Sequence, residues 1–81
     1  MKQYATYDAE SDALYVRLAE GEVAKTVMLD DFRMIDYAAD GGVLGIEFLE
    51  VTEGIDLDDI PFAPTVEKVI GESGLHIRIL A

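Results

Sequence analysis

A two-residue alternation of apolar and polar side chains, broken every few residues by turn-forming sequence, narrows the fold most. Successive side chains of a strand point to opposite faces, so such runs suit half-buried strands, and Asp, Gly and Ser between them suit tight turns. Residues 3–7 form the first expected strand. The turn Asp8-Ala9-Glu10-Ser11-Asp12 follows, where Asp and Ser satisfy free backbone N–H groups. The second strand is 13–19, with Leu14, Val16 and Leu18 on one face and Tyr15 and Arg17 on the other. After Glu20-Gly21-Glu22, the third strand, 23–29, alternates Val23, Lys25, Val27 and Leu29 against Ala24, Thr26 and Met28. Asp30-Asp31 turns the chain into a fourth strand, 32–37. Asp40-Gly41 signals a hairpin, because type I′ turns need positive φ, and 43–51 is the fifth strand.

The pattern then changes. Asp56-Leu57-Asp58-Asp59-Ile60 reads as one helical turn, capped by Asp56 and stopped by Pro61. A short helix is expected over 64–70, with Pro64 in its first turn, Val66, Val69 and Ile70 on one stripe, and Gly71 ending it. Residues 75–80 form a closing strand with Leu75, Ile77 and Ile79 on one face. The expected class is α+β, mostly β: an antiparallel five-stranded meander, a short helix over one sheet face and a C-terminal strand, in a single domain over 1–81. An open apolar edge invites aggregation, so the last strand must pair within its own sheet or with a second copy. The second of these pairings would make the chain a homodimer.

A chain of 81 residues builds a small core. Apolar burial at about 25 cal/mol/Å² nearly cancels chain entropy at this size, and with no Cys there is no disulfide to help. The 51% hydrophobic content excludes a disordered acidic tail. No apolar run approaches the roughly 20 residues that span a bilayer. No apolar stretch follows Met1-Lys2-Gln3-Tyr4-Ala5, so no secretory leader is expected. The absence of Cys suits a reducing compartment, and a cytoplasmic location is expected. Seventeen acidic and six basic residues give a net charge of −11. That charge repels phosphates, which argues against direct nucleic-acid binding and against anionic membranes. It favours a basic protein partner or cations, although solubility alone also accounts for it.

Two blocks carry a family resemblance. One is Tyr7-Asp8, three variable residues, then Asp12-Ala13-Leu14-Tyr15-Val16-Arg17-Leu18. The other is Ile35-Asp36-Tyr37, Asp40-Gly41, then Val43-Leu44-Gly45-Ile46-Glu47-Phe48-Leu49. In this order they resemble the small prokaryotic "domain of unknown function 2283" family, over about residues 1–51. The sequence from Thr52 onward is less typical of it. The resemblance implies a compact β-rich fold without an assigned activity, in bacterial or archaeal proteins, some of them antitoxin-like partners of small basic proteins. It carries no catalytic residues to transfer.

Several constellations bear on chemistry. Asp8, Glu10 and Asp12 alternate like calcium-loop ligands, but Ala13 and Ala19 stand where such a loop needs Gly and a bidentate Glu. The expected role is a hydrogen-bonded turn. Asp36 and Glu47 form an acid–base pair only if the strands bring them together. A two-residue loop at Asp40-Gly41 makes Asp36 face Gly45, with Glu47 diagonal to it. A five-residue loop, 38–42, makes Tyr37 face Val43 and Arg33 face Glu47, and moves Asp36 to the other face. Burial favours the five-residue loop, since it groups Phe32, Met34, Leu44, Ile46 and Phe48 and spares Arg33 a place among them. His76 is the only His, so no zinc site of usual type is expected, and it reads as a strand residue facing away from Ile77. Ser11 and Ser73 lie in turns with no nucleophile-elbow motif. Gly41-Gly42-x-x-Gly45 opens no helix, so it is no phosphate loop.

Tyr15, Arg17, Arg33 and Tyr37, with Glu47, are the candidate interaction surface, because Tyr and Arg are favoured at protein interfaces. No catalytic residue, metal ligand or cofactor is expected. The expected function is a non-enzymatic interaction module, an antitoxin-like partner of a basic protein. The alternatives are a small carboxylate- or divalent-metal-dependent enzyme and a self-assembling dimer closed by 75–80.

Overall fold

The computed structural model describes residues 3–80. Met1, Lys2 and Ala81, which fall within the domain expected over 1–81, lie outside the described residues, as do the first two residues of the resemblance. Strands β1 (Tyr4–Asp8), β2 (Ala13–Arg17), β3 (Lys25–Asp30), β4 (Arg33–Tyr37) and β5 (Val43–Phe48) form one antiparallel sheet. A 3-10 turn at Val51–Glu53, strand β6 (Ile55–Asp56), helix α1 (Ala63–Glu72) and strand β7 (Ile79–Leu80) follow. The class is the expected one, α+β and mostly β.

The strand order corrects the expected meander. It runs β1-β2-β5-β4-β3, so β2 to β5 form a Greek key. Packing explains the choice. Pairing β2 with β5 sets Leu14 against Phe48 and Val16 against Ile46, all four nearly inaccessible to solvent. A tight turn at 20–22 would have given β2 the neighbour β3, whose six residues are all exposed. The 18–24 connection instead crosses the ends of β5 and β4. Three strand spacings are about 14 Å, and 18–24 reaches about 23 Å when extended, so the crossing is unstrained. The Leu44 carbonyl accepts from the Leu18 and Ala19 N–H groups, and the Tyr37 carbonyl from Ala24. Gly21, at φ +144°, lets the connection lie against the Leu44 side chain.

The β4–β5 hairpin satisfies both sequence alternatives in turn. Its loop is the five-residue one, closed by the Ala38 N–H to the Gly42 carbonyl, with Tyr37 opposite Val43. A bulge then shifts the register, so Asp36 faces Gly45, Ile35 faces Ile46 and Arg33 faces Phe48. The expected Arg33–Glu47 pair is therefore replaced, and Met34 faces Glu47.

Residues 51–80 cover one face of the sheet. Val66, Val69 and Ile70 of α1, with Val51, Ile55 and Ile60, pack on Leu14, Val16, Ile35, Ile46 and Phe48. Leu75, Ile77 and Ile79 close the margin. Two local expectations change. The 56–60 segment is not a helical turn: Ile55–Asp56 pairs in parallel with Ile79–Leu80, and the Asp56 carboxylate accepts the Asp58 N–H in an Asx turn. The closing strand is thus only β7, bonded to β6 rather than to the main sheet. The helix also runs past Gly71, and Gly74, at φ +77°, lies just beyond its end instead.

Candidate functional site

Nothing described covers the second face of the sheet. Register places its side chains in two rows. Thr6, Tyr15, Glu47, Met34 and Met28 cross the sheet in one. Tyr4, Arg17, Gly45, Asp36 and Thr26 cross it in the other. Antiparallel sheets tolerate one wet face, and this one mixes aromatic, thioether and polar groups.

A hydrogen-bonded chain organises the middle of that face. The Tyr15 hydroxyl donates to Asp36 Oδ2 at 3.0 Å, and the Thr26 hydroxyl donates to Asp36 Oδ1 at 2.6 Å. The Arg17 guanidinium donates to the Tyr15 oxygen at 3.3 Å and to the carbonyls of Ala19 and Gly21 at 2.8 and 2.7 Å. Arg17 therefore ties the crossing connection to the sheet. Partial burial, more than the neighbouring Asp36, holds the Tyr15 phenol above its usual pKa, so it remains a neutral donor. Beneath it lies Gly45. A Cβ at that position would overlap the Tyr15 hydroxyl and come within 3.0 Å of the Val16 carbonyl. Glycine in a strand interior often marks such a close approach. The pieces Ala13-Leu14-Tyr15, Ile35-Asp36 and Gly45-Ile46-Glu47, far apart in the chain, meet in this one arrangement.

The structure separates the five candidate surface residues. Tyr15, Arg17 and Glu47 share the open face. Tyr37 packs against the core on the covered side, with Lys25 Nζ 5.7 Å from its ring centroid. Arg33 lies at the margin of the covered side and closes the β3–β4 turn through a 2.8 Å ion pair to Asp30. It also donates to the carbonyls of Asp56 and Asp58, which pins the segment after β6. Hydrogen bonding to Arg33 holds the Asp30 carboxyl below its usual range. Thr26 and Met28, which alternation sets on one face of their strand, join the open face, and so does Met34, which the favoured register grouped with the core. Their placement depends on the Greek key, which alternation does not specify.

The acidic turn is hydrogen-bonded, as expected. Asp8 accepts from the Glu10 N–H and the Ser11 hydroxyl at 3.0 Å each. Asp12, at φ +53°, accepts from the Tyr7 hydroxyl at 2.6 Å and from the Thr52 hydroxyl at 2.8 Å. The Tyr7 hydrogen bond is the main cause of its lowered pKa. Asp12 thereby fastens the β1–β2 turn to the covering segment. Among the described residues, no three His, Asp or Glu are placed together to hold a metal ion. Asp36 and Glu47 are diagonal neighbours on the open face, and both Asp36 oxygens accept hydroxyls. His76 is exposed between Leu75 and Ile77, and Ser73 donates to the Ile70 carbonyl. Clefts of about 210 Å³ beside Arg33 and about 310 Å³ beside His76 lie below and at the small end of the roughly 300–1,000 Å³ usual for ligand pockets. Among the described residues, no helix is long and apolar enough to cross a membrane.

Comparison with protein families matches residues 5–51 to the family described as "Protein of unknown function (DUF2283)". Comparison with curated proteins and with solved structures returns no match.

Proposed function

Because the chain belongs to the DUF2283 family, whose description assigns no activity, we propose a function from its surface: a non-enzymatic docking module for a basic protein, in the manner of an antitoxin that neutralises a small basic partner. The observation that carries this reading is the open sheet face. One face of the sheet is covered by residues 51–80, while the other keeps Tyr15, Tyr4, Met34 and Met28 accessible on a rigid scaffold. Aromatic and methionine side chains are favoured at interfaces, and a flat preordered face loses little entropy on binding.

Charge selects the partner. The molecule carries −11, and among the described residues Arg17, the basic side chain of that face, makes its hydrogen bonds internally. Glu47 and Asp36 leave the face itself acidic. A positive partner is steered toward such a surface and a nucleic acid away from it. Asp36 has a structural role, holding the Tyr15 and Thr26 hydroxyls with both its oxygens, which favours docking over catalysis. A cysteine-free chain suits a partner met in the cytoplasm.

The test is co-expression with the product of the adjacent gene. A basic product retained by the wild-type chain, weakened about tenfold by Glu47→Lys and by raised salt, supports the reading. A basic neighbour that fails to bind at any ionic strength contradicts it.

A further inference from the structure

We propose that β3 pairs antiparallel with β3 of a second copy of this chain, joining two sheets edge to edge across a two-fold axis. β3 is the outermost strand on its side, so its outer N–H and C=O groups face no strand among the described residues. All six of its residues are exposed, including Val27, Leu29 and Met28, the last at 62%. Proteins blunt such edges with proline, inward-pointing charge, a bulge or a covering element. β3 has no proline, and its charges stand only at its ends, Lys25 and Asp30. Its register shift lies between Met28 and Asp30 and leaves the stretch 25–28 regular. The other edge strand, β1, is likewise unpaired on its outer side among the described residues, but it is in contact with α1 and carries fewer large apolar side chains, Tyr4 and Tyr7 against Val27, Met28 and Leu29.

The strand's own polarity identifies the occupant. A two-fold axis through Val27 pairs Val27 with Val27 and Thr26 with Met28, and it brings Lys25 of each copy to the Leu29–Asp30 bulge of the other, where Asp31 adds a second carboxylate to the Asp30 held by Arg33, so the strand is its own charge complement. A parallel partner of the same sequence would set Lys25 beside Lys25. An axis perpendicular to the sheet preserves its faces, so Thr26 and Met28 of both copies stay on the open face and Val27 of both stays on the covered side. Two docking faces then lie side by side in one sheet. The net charge of −11 on each copy opposes their approach at long range. Self-association therefore strengthens with salt, opposite in sign to binding of a basic partner.

The experiment is sedimentation equilibrium of the wild-type chain at low and high salt, with three variants. Met28→Lys places like charges near the axis, and its exposed position keeps the fold, which circular dichroism checks. The expected results are a wild-type dimer tightened by salt and an approximately tenfold weaker dimer in Met28→Lys. In this cysteine-free chain, Val27→Cys or Met28→Cys yields a covalent dimer on mild oxidation, and Glu67→Cys on α1 does not. A monomer at every concentration and salt overturns the proposal. So does a dimer that survives Met28→Lys and cross-links at neither β3 position.

Discussion

At the scale of single residues, the contact between Tyr15 and Gly45 decides the shape of the open face. The tip of the Tyr15 ring reaches over Gly45 because Gly45 lacks a side chain, and its hydroxyl reaches Asp36 for the same reason. A methyl group at Gly45 lifts the ring, loses the hydrogen bond and crowds the Val16 carbonyl. Overpacking of this kind costs about 1–3 kcal/mol, and the lost hydrogen bond about 1 kcal/mol. Gly45→Ala should therefore lower the urea midpoint clearly in the wild-type background. The same change should cost markedly less in a Tyr15→Ala background, because the overlapping ring is gone. Equal costs in the two backgrounds would mean the contact does not shape this face. The residues of this contact are legible in the sequence as types, an aromatic in β2 and a glycine in β5. That they touch is not legible, because it requires β2 and β5 to be neighbours.

At the scale of elements, alternation located every strand of the main sheet to within two or three residues. Side-chain period is a local property, and so are the Asp40-Gly41 turn and the Pro64 helix start. Strand order is not local. Alternation in β2 fits β3 or β5 as a neighbour equally well, and the difference lies in burial summed over Leu14, Val16, Ile46 and Phe48. The bulge between Asp36 and Tyr37 is illegible for a related reason: each loop length implies one register, and the bulge changes it partway along the hairpin. Segment 75–80 alternates as a strand does, yet only Ile79–Leu80 finds a ladder, since the main-sheet edges lie elsewhere. The helix layer closes the core. Ile70 is 2% exposed, and Ile→Ala changes at such sites cost about 2–5 kcal/mol. A domain of this size holds roughly 4–12 kcal/mol in all. Ile70→Ala should accordingly remove a large part of the stability in urea unfolding, and a loss under about 0.5 kcal/mol would show that α1 is peripheral to the core.

At the scale of the molecule, two asymmetries combine. The covering segment, 51–80, protects one sheet face and leaves the other exposed, and the chain as a whole carries a net charge of −11. Charge was readable directly from composition, and it argues about partners rather than fold. Which residues present themselves to a partner was readable only in part, because Arg33 and Tyr37 alternate plausibly onto the open face until the register shift is known. The most direct measurement uses the methionines. The chain has three, and two of them, Met28 and Met34, stand on the open face, Met34 in from the β3 edge. Methyl labelling of methionine and isoleucine gives each of these methyls its own NMR signal. On titration with the basic product of the adjacent gene, the Met34 methyl should shift while the isoleucine methyls of the covered face, Ile70 among them, stay in place. A partner that binds and moves the covered-face signals, leaving Met34 unchanged, would contradict the account.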